Sequence, residues 1–443
     1  MISSSIFSVL LYTGGPDPVV LSAADLCADG FTFRLPVADP PLPEHPDRVV
    51  CSHRGLTVRE EITLTDLTLS VESRDRCCIL YRLIAGDAGT VRFMRSVMQD
   101  LTEYADLKNN GSDAALSAFY TDYPADRELD FPTDFRSWRR ELLSSAVPDP
   151  GWEALADRPI PLRVAVSFPE TQSRFLTDPF PVFLHCLLTD AGLSRHPLSR
   201  VQPAGVVLGS ASCPDLFPSP DRLALLVRRC EEQSLNYSVL FPPVPEDCFD
   251  SFTGVADWLV SPGHPLPECA VVSDWGTARM LHTRFSGKIR IAAGPLLARG
   301  AKDPRRVFVN GEPEFSRLSS ANSPSFRKLL EQTGITGILW ESCFDPGILL
   351  PGDLLVLPFC RLTAATRCTL RSVCRFGSRG LQPEEDRCAY ECEQVCFGYS
   401  RALNMIGRGN SLFCADPRFL TDSGLAADFL SAGPGMIILD LLA

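Results

Sequence analysis

The stretch PAGVVLGSASCPDLFPSPDRLALLVRRCEEQSLNYSVLFPPV, residues 203–244, decides the fold. Its two apolar runs, at 205–210 and 237–244, are rich in Val and Leu, which is typical of buried strands. Between them, Ser219 and Pro220 form a helix start signal, and apolar residues then recur at steps of three and four. A strand, a helix and a second strand in this order predict a βαβ unit with parallel strands.

The same alternation of apolar strands and helical segments extends from Pro161 towards the C-terminus. Eight runs are expected to be strands, at 162–168, 205–210, 237–244, 257–261, 269–274, 289–297, 335–342 and 354–359. Eight parallel strands are the number that a closed (β/α)8 barrel needs. We therefore predict an α/β fold in which residues 151–443 form a TIM-like barrel with a C-terminal Cys-rich segment.

Residues 1–150 follow a different pattern. Short strand-like runs at 31–37, 62–71 and 77–85 alternate with turns, and a helix is expected from about Thr90. The stretch 146–161, with four prolines and one glycine, indicates a linker. We expect a small mixed α/β domain here, and its role cannot be inferred from the residues.

The overall charge limits the partners of the protein. A net charge of −12 argues against nucleic acid and against anionic membrane surfaces, since both require clustered Lys and Arg. The N-terminal stretch lacks the basic region of a signal peptide, and no apolar run approaches the length of a membrane span. We therefore expect a cytoplasmic protein without a membrane span, whose 17 cysteines are reduced.

The cysteines are concentrated in residues 360–443. This segment contains seven of the 17, namely Cys360, Cys368, Cys374, Cys388, Cys392, Cys396 and Cys414. Their neighbours are largely Arg, Glu, Gln, Asp and Gly, so several of these thiols lie in polar, loop-like sequence rather than in a core pattern. An iron–sulfur cluster, a zinc ion or metal-free reduced thiols fit this pattern, although the paired CxxC motifs of zinc ribbons are absent.

Several short elements occur in a recognisable order. They are the strand, Gly, small residues, Cys, helix and strand of 203–244, SDWGTARML at 273–281, IRIAAGPLLARGAKDPR at 289–305, GITGILWES at 334–342, TRC at 366–368 and DRCAYEC at 386–392. In these elements the chain resembles the collagenase-like peptidase family of unassigned catalytic type. More narrowly, it is similar to the UbiU/UbiV-like iron–sulfur branch, which serves oxygen-independent ubiquinone hydroxylation.

The resemblance implies a [4Fe-4S] cluster at the C-terminal end of the barrel. Matched residue by residue, its ligands would be Cys213, Cys368, Cys388 and Cys392. Two departures from the family pattern are a longer segment between Cys368 and Cys388, in or beside which Cys374 and Cys396 are rival ligands, and Ser210 at a position where relatives tend to have an acidic residue. Cys360 and Cys414 are further rivals for a ligand position.

The resemblance also implies an activity. The chain would act in oxygen-independent hydroxylation, or a related redox step, on a small aromatic or lipid-like substrate. It would do so as a hydroxylase or an accessory subunit, together with a partner protein in a heterodimer. The alternatives are a zinc-stabilised scaffold without enzymatic activity and a peptidase, although neither HExxH nor GxSxG occurs.

Two carboxylates are candidate catalytic residues because they end predicted barrel strands, where TIM-barrel chemistry takes place. Asp274 follows the run at 269–273, and Glu341 follows GILW. Each also has an ordinary structural interpretation. Asp274 would equally suit the N-cap of the next helix, and Glu341 a solvated loop.

Overall fold

The computed structural model describes residues 7–13, 18–37, 39, 41–43, 45–54, 59–64, 67–110, 130–298, 302, 321, 323–365, 367–377, 388–399 and 405–443. The chain divides into two compact units. The first comprises Met1–Glu128 and Pro313–Lys328, and the second comprises Leu129–Glu312 and Leu329–Ala443. The sequence-based boundary at residue 150 thus lies inside the second unit.

The first unit is built from two antiparallel sheets and one helix. Its elements are β1 (Phe7–Tyr12), β2 (Val19–Leu21), β3 (Ala23–Cys27), β4 (Gly30–Pro36), β5 (Arg48–Arg54), β6 (Arg59–Leu64), β7 (Leu67–Arg74), β8 (Cys78–Ala85) and α1 (Ala88–Asn110). The sheet orders are β2-β1-β5-β6 and β3-β4-β8-β7. Phe7, Phe31, Phe33 and Phe93 join both sheets and α1 in one apolar core. The expected mixed sheet is therefore a pair of antiparallel sheets.

Eight parallel strands form a closed barrel in the second unit, as predicted. They are β10 (Leu162–Val166), β11 (Gly205–Gly209), β12 (Asn236–Phe241), β13 (Cys269–Val272), β14 (Arg290–Ala293), β15 (Ile335–Glu341), β16 (Leu354–Ala364) and β20 (Met436–Asp440). Consecutive strands pair from β10 to β16, and β20 closes the ring between β16 and β10. Val207, Val271, Leu339 and Ile438 help to fill the interior with buried apolar side chains.

Helices connect most of the barrel strands. The described helices of this unit are α2 (Phe135–Ser144), α3 (Gly151–Ala156), α4 (Pro169–Thr177), α5 (Phe180–Asp190), α6 (Pro220–Glu232), α7 (Phe249–Leu259), α8 (Trp275–Phe285), α10 (Thr369–Phe376), α11 (Arg418–Thr421) and α12 (Ser423–Ser431), while the residues of α9 (Pro324–Gln332) are divided between the units. Residues 342–353, between β15 and β16, contain a short 3-10 turn instead of an α-helix.

An antiparallel extension grows from one barrel strand. The second half of β16 pairs with β19 (Ser411–Ala415), followed by β18 (Met405–Arg408), β17 (Val395–Gly398) and β9 (Asp130–Asp134). Because β16 pairs with β20 in the barrel and with β19 beyond it, the extension begins at the C-terminal end of the barrel.

One strand prediction was wrong and one strand was missed. Residues 257–259 belong to α7, since Phe252, Val255, Ala256 and Leu259 are buried at helical spacing. The eighth barrel strand is instead β20, a short apolar run near the C-terminus. The count of eight was therefore right, although one member was not. Among the described helices, none is long and apolar enough to cross a membrane.

Candidate metal centre

Four thiols from distant parts of the chain line one cavity in the second unit. Cys213, Cys368, Cys388 and Cys392 surround a cavity of about 40 Å3, which is more than the roughly 10–15 Å3 that one water molecule needs. These are the four positions that the resemblance implies. We call this the thiol cavity.

The loop after β11 presents Cys213. Gly209 ends the strand with φ of 93°, and an added Cβ would lie 2.5 Å from the carbonyl oxygen of Leu240. Only glycine therefore allows this close approach. Ser210 then turns the chain, because its hydroxyl oxygen accepts the N–H groups of Ser212 and Cys213 at 3.3 and 3.2 Å. Ser210 thus shapes the loop that carries Cys213.

The other three thiols lie in the segments that follow β16. Cys368 is the N-cap of α10, and its sulfur accepts the N–H of Arg371 at 3.3 Å. The sulfur of Cys388 accepts the N–H of Tyr390 at 3.4 Å. Cys392 lies in the 3-10 turn of residues 391–393. A helix N-terminus and backbone N–H groups stabilise negative charge on sulfur, which suits metal-bound thiolates.

Burial keeps these thiols protonated in the metal-free protein. It raises the pKa of Cys368 to about 11 and that of Cys392 to about 12, and it also raises the pKa values of Cys213 and Cys388. Since thiolates are the ligands of metals, binding would release protons.

Buried arginines surround the thiol cavity. Arg361 and Arg408 line it, and both are at least nine-tenths buried. Nε of Arg361 and Nη1 of Arg408 have no hydrogen-bond partner among the described residues. Such groups are costly unless an acceptor or an anion is present. An iron–sulfur cluster with four thiolates is negatively charged, so these arginine donors suit it, while Asp215 and Asp440 place two carboxyl groups on the same lining.

Asn410 connects two loops of the cavity, a role that no sequence pattern indicated. Its side-chain nitrogen donates to the carbonyl oxygens of Ser212 and Ala365, each at 2.8 Å. Ser212 precedes Cys213, and Ala365 lies between β16 and Cys368. Asn410 itself belongs to the two-residue turn between β18 and β19, whose other member, Gly409, has φ of 60° and approaches Cys392.

The four sulfur atoms line a cavity rather than meeting at one point. In the described part of the chain, no three His, Cys, Asp or Glu side chains are arranged to hold a single metal ion. A mononuclear zinc site needs ligands about 2.3 Å from one centre. A multinuclear cluster places its ligands around a larger body.

The rival cysteines lie elsewhere. Cys360 and Cys414 face each other across β16 and β19 and are buried. The Cys396 thiol donates to the carbonyl oxygen of Thr133 at 3.5 Å, and Cys374 is exposed. None of these four lines the thiol cavity.

The two carboxylates also lie outside the lining of the thiol cavity. Asp274 caps α8, because its oxygens accept the N–H and hydroxyl of Thr277 at 2.7 Å and the N–H of Val244 at 3.0 Å. Glu341 is 2% exposed, so it is not a solvated loop residue. It pairs with Lys302 and accepts the N–H of Arg361. Both carboxylates therefore have structural partners, and Glu341 is connected to the cavity through Arg361.

Comparisons of the whole chain with protein-family models, curated proteins and solved structures found no match. The thiol cavity is therefore interpreted from its own residues and from the resemblance in short motifs.

Proposed function

We propose that this protein holds a [4Fe-4S] cluster on Cys213, Cys368, Cys388 and Cys392. The observation that supports the proposal is the position of all four thiols on one cavity at the C-terminal end of the barrel. They come from the loop after one barrel strand and from the segments after another. Backbone N–H groups and buried arginines around them would compensate the negative charge.

We further propose a cytoplasmic protein that acts in oxygen-independent hydroxylation, or a related redox step, on a small aromatic or lipid-like substrate. The order of short motifs shared with the iron–sulfur branch supports this activity. When bound, a [4Fe-4S] cluster supplies one-electron transfer. Hydroxylation with water as the oxygen source releases two electrons and two protons from the substrate and water together. The cluster would accept one electron, and a second redox centre, carried by a partner protein in a heterodimer, would accept the other.

The cluster can be tested on the intact protein. Purification without oxygen should give a coloured protein with about four iron and four sulfide per chain. Cys388→Ala should lose both, whereas Cys374→Ala, which changes an exposed thiol outside the cavity, should retain both. Iron that is unaffected by Cys388→Ala would contradict the ligand assignment.

The same analysis separates the cluster from a zinc scaffold. A colourless protein with zinc alone would favour the scaffold, in which the thiols only stabilise the C-terminal segment.

The activity needs its own test. Cells that express the wild type without oxygen should accumulate a substrate that has gained one oxygen atom, as detected by mass spectrometry. Cells that express Cys388→Ala should not.

A further inference from the structure

A second cavity, of about 120 Å3, lies beside the thiol cavity in the same unit. Five arginines line it, namely Arg136, Arg139, Arg140, Arg174 and Arg408. They come from α2, from α4 and from the end of β18. We call it the arginine cavity.

The side chains of the arginine cavity carry an excess of positive charge. Arg136 pairs with Glu170, and Nη1 of Arg174 lies 2.8 Å from Oδ2 of Asp190. The third acidic residue of the lining, Glu393, accepts the N–H of Glu170. Among the side chains, five guanidinium groups thus face three carboxylates, an excess of two positive charges, and Ala443, the last residue of the chain, also lines the cavity.

Two of the five arginines are buried with N–H groups that lack an acceptor. Arg139 is 3% exposed, and its Nη1 donates to the carbonyl oxygen of Leu441 at 3.0 Å. Its Nε has no partner among the described residues. Arg408 is 4% exposed, and its Nη1 also has no partner among the described residues. Arg408 also faces the thiols, whereas Arg139 does not line the thiol cavity. Arg139 therefore contributes a buried guanidinium group to the arginine cavity alone.

Burial makes these guanidinium groups costly to keep charged. It lowers the pKa of Arg139 to about 10. A buried cation of this kind is stabilised when an anion approaches within hydrogen-bond distance.

The remaining wall of the arginine cavity is apolar. Phe135, Phe168 and Leu187 contribute to it. The guanidinium carbon of Arg408 lies 3.5 Å from the ring centre of Phe135 and 3.9 Å from that of Phe168. A ligand here would meet cations on one side and aromatic surface on the other.

We propose that the arginine cavity binds the carboxylate of a small organic anion, whose apolar body packs against Phe135, Phe168 and Leu187. The planar fork of arginine matches a carboxylate, and the apolar wall favours an organic acid over free phosphate. Phe168 and Arg408 line both cavities, so the ligand would lie next to the thiols. The role of this anion as a substrate rests on the proposed function, whereas its binding to the arginine cavity is independent of that function.

The test uses the full chain, purified without oxygen, with benzoate as the probe. Benzoate should raise the Tm of the wild type, while the neutral benzamide of similar shape should not. In calorimetric titration, Arg139→Met should weaken benzoate binding by roughly tenfold or more, because a charged hydrogen bond inside a cavity is lost. Arg140→Gln, at an exposed position of the cavity, should weaken it by a smaller factor. Arg228→Gln is the matched control, since Arg228 is exposed on α6.

Three results would overturn the inference. They are equal effects of benzamide and benzoate, phosphate binding as strong as benzoate binding, and unchanged benzoate binding in Arg139→Met. If Arg139→Met does not fold, unchanged binding in Arg140→Gln has the same meaning. Iron measured on the same samples separates the two proposals. Benzoate binding without iron would support the arginine cavity as an anion site and contradict the cluster. Iron without benzoate binding would support the cluster and contradict the anion site.

Discussion

Two groups of thiols in the second unit differ in their burial and in their surroundings. The thiols of Cys343, Cys360 and Cys414, here called the packed trio, contact one another, since Cys360 hydrogen-bonds with both of the others. All three are buried in the protein core. The thiols of the thiol cavity instead line open volume, with backbone N–H groups and arginines around them. A cavity with donors, more than the presence of cysteine, therefore distinguishes a candidate ligand from a core residue.

The largest expected effect comes from removing one thiol of the thiol cavity. Cys392→Ala should lose nearly all iron and sulfide after purification without oxygen, because three thiolates remain where four are needed. The matched change in the packed trio, Cys414→Ala, should leave the iron content unchanged. Iron, sulfide and visible absorbance measure both variants. Loss of iron from Cys414→Ala together with its retention in Cys392→Ala would reverse the roles of the two groups.

A smaller effect is expected from Asn410→Ala. The substitution leaves the carbonyl oxygens of Ser212, which is buried, and of Ala365, which is exposed, without their donor. One buried unpaired group costs about 1–3 kcal/mol. The free energy of unfolding should fall by about that amount, and the iron content should fall in part, because the loops before Cys213 and Cys368 are no longer tied together.

Denaturant unfolding and iron analysis measure these two effects. Asn236→Ala removes an exposed amide at the start of β12 and serves as the control. If Asn410→Ala matched this control in both quantities, Asn410 would have no part in organising the site.

The packed trio should respond through stability alone. Cys360→Ala removes a fully buried sulfur atom and should lower the free energy of unfolding by about 1–2 kcal/mol, since it leaves a small cavity in the core. Cys374→Ala, at an exposed position, should change it by less than about 0.5 kcal/mol. Urea unfolding of the metal-free protein compares the two. Equal stability of both variants would show that the trio is not tightly packed.

The sequence predicted the barrel better than its details. Seven strands were found because Val-rich and Ile-rich runs bounded by Gly or Pro are distinctive. DWLVS at 257–261 was predicted wrongly because a short apolar run has the same pattern at the end of a helix and in a strand. Only the helical spacing of the buried residues from Phe252 to Leu259 distinguishes the two. The strand β20 was missed because MIILD is equally short.

The cavities could not be predicted from hydrophobic periodicity, because they are formed by contacts between residues that are distant in the sequence. The positions of the four thiols were expected only from the resemblance in short motifs. Asn410 donates to Ser212, almost two hundred positions earlier in the chain, and Arg139 donates to Leu441, which is still more distant. No local pattern marks either residue, although Gly409 and Asn410 together have the composition of a turn.

The smallest expected effect is a loss of stability at acidic pH, and it concerns His196, a residue of the fold rather than of the thiol cavity. His196 is 4% exposed and neutral by its contacts, since Nε2 donates to the carbonyl oxygen of Leu420 at 2.7 Å and Nδ1 accepts the N–H of Leu198 at 3.0 Å. Burial lowers the pKa of His196 below the usual value of a histidine. The unfolded chain therefore binds a proton at a higher pH than the folded one, and stability should fall as the pH decreases below about 6.5.

His196→Asn retains an acceptor for Leu198 and cannot be protonated. The metal-free variant should be less stable than the wild type at pH 8, by about 1 kcal/mol for the lost hydrogen bond. This difference should shrink as the pH falls towards 5, because only the wild type must exclude a proton from its folded state. Urea unfolding across this range measures the difference. A stability difference that stays constant between pH 8 and pH 5 would mean that His196 does not titrate on unfolding. Any loss of iron in acid would then come from the thiol cavity or from other titrating groups.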